Sequence, residues 1–398
     1  MKNIKLIAIL LLLIQNLIAQ KSIPKVSYEF AAIDKKALQI PDSLTKTAEG
    51  IASYITSNFI TDKEKVRATF IWIATNIQYD IDNMFAINFY EKKADKITKP
   101  LKTRKGICEN YAELFNDICL KAKLKSFVIE GYTKQNGLTD YFPHAWCAVL
   151  VDNDWYMFDP TWGSGYINNN KFYKKLNDNY FKVSPASLIK SHMPFDFLWQ
   201  FLNYPITNQE FYEGRTQLNK SKSFFNYVDS LQVYNQQDHN EQLISSARRI
   251  EENGVKNSLI FDRLQHVKLK IENNRYNLNV NLYNTATLNY NEAINDFNEF
   301  IQYRNKQFIP LKTDAEIQNM IDQVNIKVSD AKTKLNKMIN PEPNVMLLTI
   351  QLNKSIDDAV TFVKEQLEWL KIYFSKGKSG RKLMFYEKKI TWFGIPIK

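Results

Sequence analysis

R-K-G-I-C-E-N-Y-A-E-L-F, Arg104–Phe115, and P-H-A-W-C-A-V-L-V-D-N-D-W-Y-M-F-D-P-T-W-G-S-G, Pro143–Gly165, decide how this chain folds. Gly106 interrupts whatever precedes it. From Cys108 onward Tyr111, Leu114, Phe115, Ile118 and Cys119 recur at helical spacing, which predicts a helix with Cys108 in its first turn and on its buried face. Free N–H groups and the positive end of the helix dipole favour a thiolate at such a place. Arg104 and Lys105 add positive charge just upstream. The plainer reading of the same cysteine is a small buried residue at a helix start.

The second stretch reads as a hairpin. Ala145–Val151 and Trp155–Phe158 are β-type runs, and Asp152-Asn153-Asp154 between them is turn chemistry. A two-residue turn at Asp152-Asn153 sets Trp146 opposite Asp159 and His144 opposite Thr161. His144 and Asp159 then share a face as diagonal neighbours, about 7–8 Å apart at the backbone. A slip of one residue would send them to opposite faces. A cysteine at a helix start, followed by a histidine and an aspartate on one hairpin face, supplies a nucleophile, its base and the group that orients the base.

These residues resemble a known family. G-I-C-E-N-Y-A, H-A-W and D-P-T-W-G-S-G are similar to the three signature blocks of the transglutaminase-like superfamily. F-I-W-I-A-T-N-I-Q-Y-D, Phe70–Asp80, resembles the segment that precedes the Cys block in its bacterial and kyphoscoliosis-peptidase-type members. The resemblance covers residues 60–170. It implies an α+β fold: a papain-like transglutaminase core, one helix packed on an antiparallel sheet. It implies Cys108 as nucleophile, His144 as base and Asp159 as orienting carboxylate, with no cofactor and no metal. Trp72, Gln78, Tyr79, Trp146 and Trp162 are the candidates for the substrate groove. The first three are also candidates for a second oxyanion donor beside the Cys108 N–H, although core packing is the more ordinary role for Trp72. The sequence departs from the family pattern at Asn110, where many members have Gly, and at Cys147, where many have Asn.

Around this core the texture divides the chain. Residues 1–19 read as a signal peptide, with Lys2 and Lys5 before the apolar run Leu6–Ile14 and a small residue at Ala19. The protein is therefore expected to be exported, to a periplasm, a cell surface or the medium. A helical segment is expected over 20–60, with one helix from Pro41-Asp42-Ser43 through Ile55. The core is expected over 61–205, opening on a helix capped by Thr61. Asp80–Lys102 reads as a loop, Ser126–Tyr132 as a strand, Lys134–Pro143 as a polar loop and Phe172–Leu202 as an aromatic-rich wrap. A mainly α-helical C-terminal region follows over 206–375. Its clearest stripes are Glu241–Ile250, Ala293–Tyr303, Ala315–Met338 and Leu352–Phe374, with a break at Asn340-Pro341-Glu342-Pro343. Tyr276–Tyr290 reads as a hairpin or an irregular segment. The tail, 376–398, is basic and aromatic, with Met384–Tyr386 and Ile390–Phe393 able to pair as short strands.

The formal net charge is +11, two units of which are Lys2 and Lys5. Its bland reading is a solvated lysine-rich surface; its specific one is an anionic cell-envelope polymer or acidic protein segment as partner. Export argues against nucleic acid. No apolar run after the leader is long enough to span a membrane, and Walker, dinucleotide and HExxH patterns are absent. Three cysteines give no disulfide framework. The resemblance implies that the strand face opposite Cys147 packs on the Cys108 helix, so Cys119 and Cys147 are expected as buried, separate free thiols. Two functions fit: an exported thiol enzyme acting on amide bonds of proteins or peptides, or a non-catalytic envelope scaffold that uses the core as a surface and the helical half to bind.

Overall fold

The computed structural model describes residues 28–85 and 91–386. The expected leader, and half of the strand pairing expected in the tail, lie outside the described residues. The chain divides into two compact units, Met1–Gln237 with Ser245–Leu264, and Asp238–Ile244 with Gln265–Lys398.

The first unit is the expected α+β core. Its centre is the Cys helix, Cys108–Lys121, on a four-stranded antiparallel sheet. In spatial order the strands are Asp154–Phe158, Leu138–Val151, Ser126–Gln135 and His192–Pro194. The expected two-residue turn is present: Asp152 and Asn153 both have positive φ, and Val151 pairs with Asp154. The register then carries Cys147 to Phe158. Both sheet faces are buried, as the near-continuous apolar run requires. Ala145, Cys147, Val149 and Val151 pack with Ala112, Phe115 and Cys119 of the Cys helix. Trp146 and Ala148 pack on the other face with Ile129, Met157 and Leu188.

That arrangement corrects one expectation. The face carrying Cys147 is the one on the Cys helix, and its Sγ donates to the Ala112 carbonyl at 3.3 Å. Both thiols are nevertheless free and buried, and burial raises each above its usual range.

Local chemistry explains the other differences. Lys134–Pro143 is a hairpin rather than a loop, because Asn136 and Gly137 take the positive φ of a tight turn and the histidine strand starts at Leu138. Asp80–Lys102 contains a helix, Lys93–Thr103, which buries Ile97 and Leu101. The single helix expected after Pro41 is a 3₁₀ turn, Asp42–Lys46, then an α-helix, Ala48–Asn58, capped by the Thr47 hydroxyl. The Thr61 cap is present, reciprocated by Glu64, and opens Asp62–Asn76. The expected wrap contains the fourth strand. Gly131 admits it: a Cβ there would lie 2.1 Å from the Met193 carbonyl oxygen and 2.6 Å from the Trp146 ring.

Residues beyond 205 contribute to this unit. The Tyr132 hydroxyl donates to Asn208 at 2.9 Å, and Arg249 makes a buried two-point ion pair with Asp196 at 2.7 and 2.8 Å. Removing one partner of a buried pair leaves a bare charge, so Arg249→Met is expected to destabilise this unit by about 3–5 kcal/mol. Urea unfolding followed by tryptophan fluorescence would measure it. A cost under 1 kcal/mol would mean that Ser245–Leu264 is not structurally coupled to the core.

The second unit is mainly helical. The helix Ser258–Asn305 from Gln265 onward, with Asp314–Asn336 and Pro343–Ser375, supplies its apolar core, which includes Phe300, Ile321, Val328, Ile356 and Val363. Tyr276–Tyr290 lies inside the first of these, a correction. Its inward stripe is Asn279, Tyr283, Ala286 and Tyr290, buried at Asn279 and Ala286 and half-buried at the two tyrosines, at helical spacing but led by an asparagine. Asn279 exchanges two hydrogen bonds with the Ile339 backbone. In the tail, Lys378–Leu383 is a short helix and Met384–Tyr386 a turn, with Phe385 packed on Trp369 and Tyr373. No helix among the described residues is long and apolar enough to cross a membrane.

Candidate active site

The Cys helix starts where several tethers place it. Gln78–Tyr79 and Lys105–Gly106 form a short parallel bridge, with the Gln78 N–H donating to Arg104 and the Asp80 N–H to Gly106. The Tyr111 hydroxyl donates to the Ile77 carbonyl at 2.8 Å. Asn110 accepts from the Ile107 N–H at 2.9 Å and donates to the Lys96 carbonyl at 3.0 Å. Cys108 is the first residue of the helix, where a backbone N–H lacks an intrahelical partner. Its side chain is only 7% exposed.

Cys108 and His144 line one pocket of about 160 Å³. Cys108 is among the groups that favour charge on the His144 ring, and the ring's Nε2 donates to Asp159 Oδ2 at 2.8 Å. With Nε2 committed to the carboxylate, Nδ1 is the nitrogen left for the sulfur. Asp159 is fully buried and caps the helix Pro160–Ser164, its Oδ1 accepting from the N–H groups of Thr161 and Trp162 at 2.8 and 3.1 Å. Gly163 keeps that turn tight, since a Cβ there would lie 2.3 Å from the Phe70 ring.

Sequence reasoning missed a fourth member. His192 Nε2 lies 3.1 Å from the same Asp159 Oδ2. Its Nδ1 lies 2.8 Å from the Ser191 hydroxyl, whose alternative acceptor, the Leu188 carbonyl, is further away at 3.4 Å. The hydroxyl donates to Nδ1, so Nε2 carries the ring proton toward Asp159. No motif marks His192 in the sequence; it reaches the site only because its strand joins the sheet beside Gly131, pairing Gly131 with Pro194 and Thr133 with His192.

The electrostatics separate the two histidines. Burial opposes charge on His144, but the Asp159 carboxylate, by hydrogen bond and proximity, and Cys108 outweigh it and lift the ring to about 10. Burial likewise opposes ionisation of Asp159, and here both histidines outweigh it, holding the carboxyl well below its usual range. For His192 burial wins, helped by His144, and the ring is lowered and neutral at pH 7. The three ligand atoms of His144, Asp159 and His192 lie within 4.8 Å of one another, close enough for a metal ion. They already form a satisfied hydrogen-bond network, and an ion would have to displace both ring protons.

The proposed groove residues land in different places. Trp72 is buried in the core, with the Arg104 guanidinium 5.1 Å from its ring centroid. Arg104 also donates to the Thr45 hydroxyl, so its charge is turned toward the core instead of adding to the field at Cys108 as its position in sequence suggested. Gln78 is exposed. Tyr79 is close to the thiol: burial first, then negative charge on Cys108, raises its hydroxyl and keeps it protonated. Trp146 stacks near His144 at 6.1 Å, and Trp162 packs against His144 and His192 at 5.5 and 4.6 Å. These two tryptophans frame the histidines, and the pocket wall is made instead by Glu109, Glu130, Phe195, Leu259, Asp262 and Arg263. Glu109 pairs with Lys96 at 2.5 Å and Glu130 with Arg263.

Residues 49–160 match the model of the transglutaminase-like superfamily. The chain is 33% identical to the kyphoscoliosis peptidase of Mus musculus over 199 residues, which is 48% of this chain and 29% of that protein. It is 37% identical to the Homo sapiens kyphoscoliosis peptidase over 159 residues, 38% of this chain and 24% of that one. The chain thus spans less than a third of the length of these relatives. A solved structure of a TGase is 20% identical, with 42% of this chain and 41% of that one covered, at a TM-score of 0.24.

Proposed function

We propose that this transglutaminase-like core is an exported thiol enzyme acting on amide bonds of proteins or peptides, with Cys108, His144 and Asp159 as its catalytic set. One observation carries the reading: a helix-opening cysteine shares a pocket with a histidine that is tied to a buried carboxylate. The relatives named kyphoscoliosis peptidase support the peptidase branch, and the leader-like residues 1–19 support export.

In this mechanism Cys108 attacks as thiolate, its proton held on His144. A bond forms from Sγ to the amide carbon, and the carbonyl π pair moves onto oxygen. The Cys108 N–H stabilises that oxyanion, and Tyr79, half-buried and protonated, is the second-donor candidate retained. Collapse breaks the C–N bond, and the departing amine takes the proton from His144. Water, or an amine in acyl transfer, then attacks the thioester and gives its proton to His144, and the thiolate leaves.

Labelling with iodoacetamide at pH 7 tests the reading without a known substrate. Cys108 is expected to alkylate at least about tenfold faster than free cysteine, since an imidazolium partner activates a thiol. Cys119 and Cys147 should stay unlabelled in the folded protein. A Cys108 rate no greater than that of free cysteine would favour a scaffold that merely keeps the fold.

A further inference from the structure

We propose that His192 is a positioning residue for the thiol site: its Nε2–H, fixed from behind by Ser191, holds the Asp159 oxygen that orients His144. This rests on the reading of Cys108 and His144 as nucleophile and base. The geometry is closed at every atom. Asp159 is fully buried and accepts four hydrogen bonds, two from backbone N–H groups on Oδ1 and one from each histidine on Oδ2. An oxygen with two lone-pair directions, both filled in a site closed to solvent, has one stable orientation. Without His192, one direction of Oδ2 is empty, and a buried carboxylate left short of a donor turns or draws in water to recover one. Either change moves the acceptor from which His144 takes its orientation.

His192 suits this task because it donates without competing for charge. It is neutral, so the carboxylate keeps a single cationic partner, the ring that shares a pocket with the thiol. Its own orientation is fixed independently by the Ser191 hydroxyl at 2.8 Å. The position is also costly to fill with an imidazole. His192 is 1% exposed and packs against Trp146, Trp162 and Tyr180 at 5.1, 4.6 and 6.1 Å. A leucine would satisfy such surroundings with no polar atoms to pair. A histidine there that merely filled space would be replaceable by leucine without effect on the thiol.

The test compares His192→Leu, which removes the donor at similar bulk, with His192→Gln, whose amide N–H can reach Asp159, and with Ser191→Ala. Two readouts are taken: iodoacetamide alkylation of Cys108 at pH 6, which needs no substrate, and kcat and KM on a glutamine-containing peptide. For the leucine variant both the alkylation rate and kcat are expected to fall about ten- to a hundredfold, the range seen when a group that orients a working side chain from behind is lost. KM should stay within about twofold. The glutamine variant should retain both rates within about threefold, because a donor remains. Ser191→Ala should lie between the two. A folded leucine variant with unchanged alkylation, or equal losses in the leucine and glutamine variants, would overturn the proposal. If the leucine variant does not fold, a Ser191→Ala protein that alkylates at the wild-type rate would overturn it instead. Wild-type protein that alkylates fast but turns over no peptide defeats the amide-bond reading alone; His192 is then judged on alkylation.

Discussion

Cys108→Ala is expected to lower turnover of a glutamine-containing peptide by more than about 10⁴-fold, with or without an added amine, because no other group in the pocket can form the acyl intermediate. Glu109, Glu130 and Asp262 line the same wall, but the carboxylate bonded to His144 is Asp159. The change should cost the fold little. Cys108 is a small side chain at the edge of a helix, so the loss is expected to be about 1–2 kcal/mol at most. Single-turnover assays paired with urea melts separate the two effects. Activity retained above one per cent in a folded Cys108→Ala protein would end the thiol-enzyme reading.

Asp159→Asn is expected to lower kcat by about 10³–10⁴-fold, since the nucleophile and base remain while the imidazole tautomer is no longer enforced. The amide keeps an oxygen for Thr161 and Trp162, but its NH₂ then faces the N–H groups of both histidines. The same change should alter the pH dependence of stability. The folded-state value of His144 is about 10, above the ordinary value of 6.5. Its contribution is therefore fully present below about pH 6.5 and fades as pH rises through 10. Asp159 is shifted the other way, so its contribution is present above the ordinary carboxylate range and is lost on acidification. In the wild type, Tm should fall between pH 7 and 10 as His144 loses its proton. In Asp159→Asn, with no carboxylate to hold the charge, that slope should vanish. A parallel slope in both proteins would mean that the His144–Asp159 pair contributes no linkage.

The parts of this molecule legible in its sequence are those set by short-range rules. The Thr61 cap, the helical stripe from Cys108 and the Asp152-Asn153 turn are all local, and the hairpin register followed from the turn. His144 and Asp159 came together because they lie on one hairpin. The Asn136-Gly137 turn was equally local, but the polar residues around it masked the strand pairing. His192 was not legible for a different reason: its place depends on a three-residue strand joining the sheet at Gly131, 61 positions upstream. The same holds for Leu259, Asp262 and Arg263, which reach the pocket from far beyond the Cys, His and Asp blocks. Within the helical half, the stripe through Asn279 and Ala286 escaped an apolar count because a hydrogen-bonded asparagine and a small alanine carry it.

The space above Gly131 also sets how this chain can drift over generations. With the Met193 carbonyl 2.1 Å from where a Cβ would sit, position 131 and the strand His192–Pro194 form a single heritable character. Any larger residue at 131 pushes that strand off the sheet and takes His192 with it. Lineages that abandon His192 are released from the glycine, whereas those that keep the histidine are bound to it. Among diverging relatives the two positions should therefore change together, even though no side chain at 131 exists to touch the histidine.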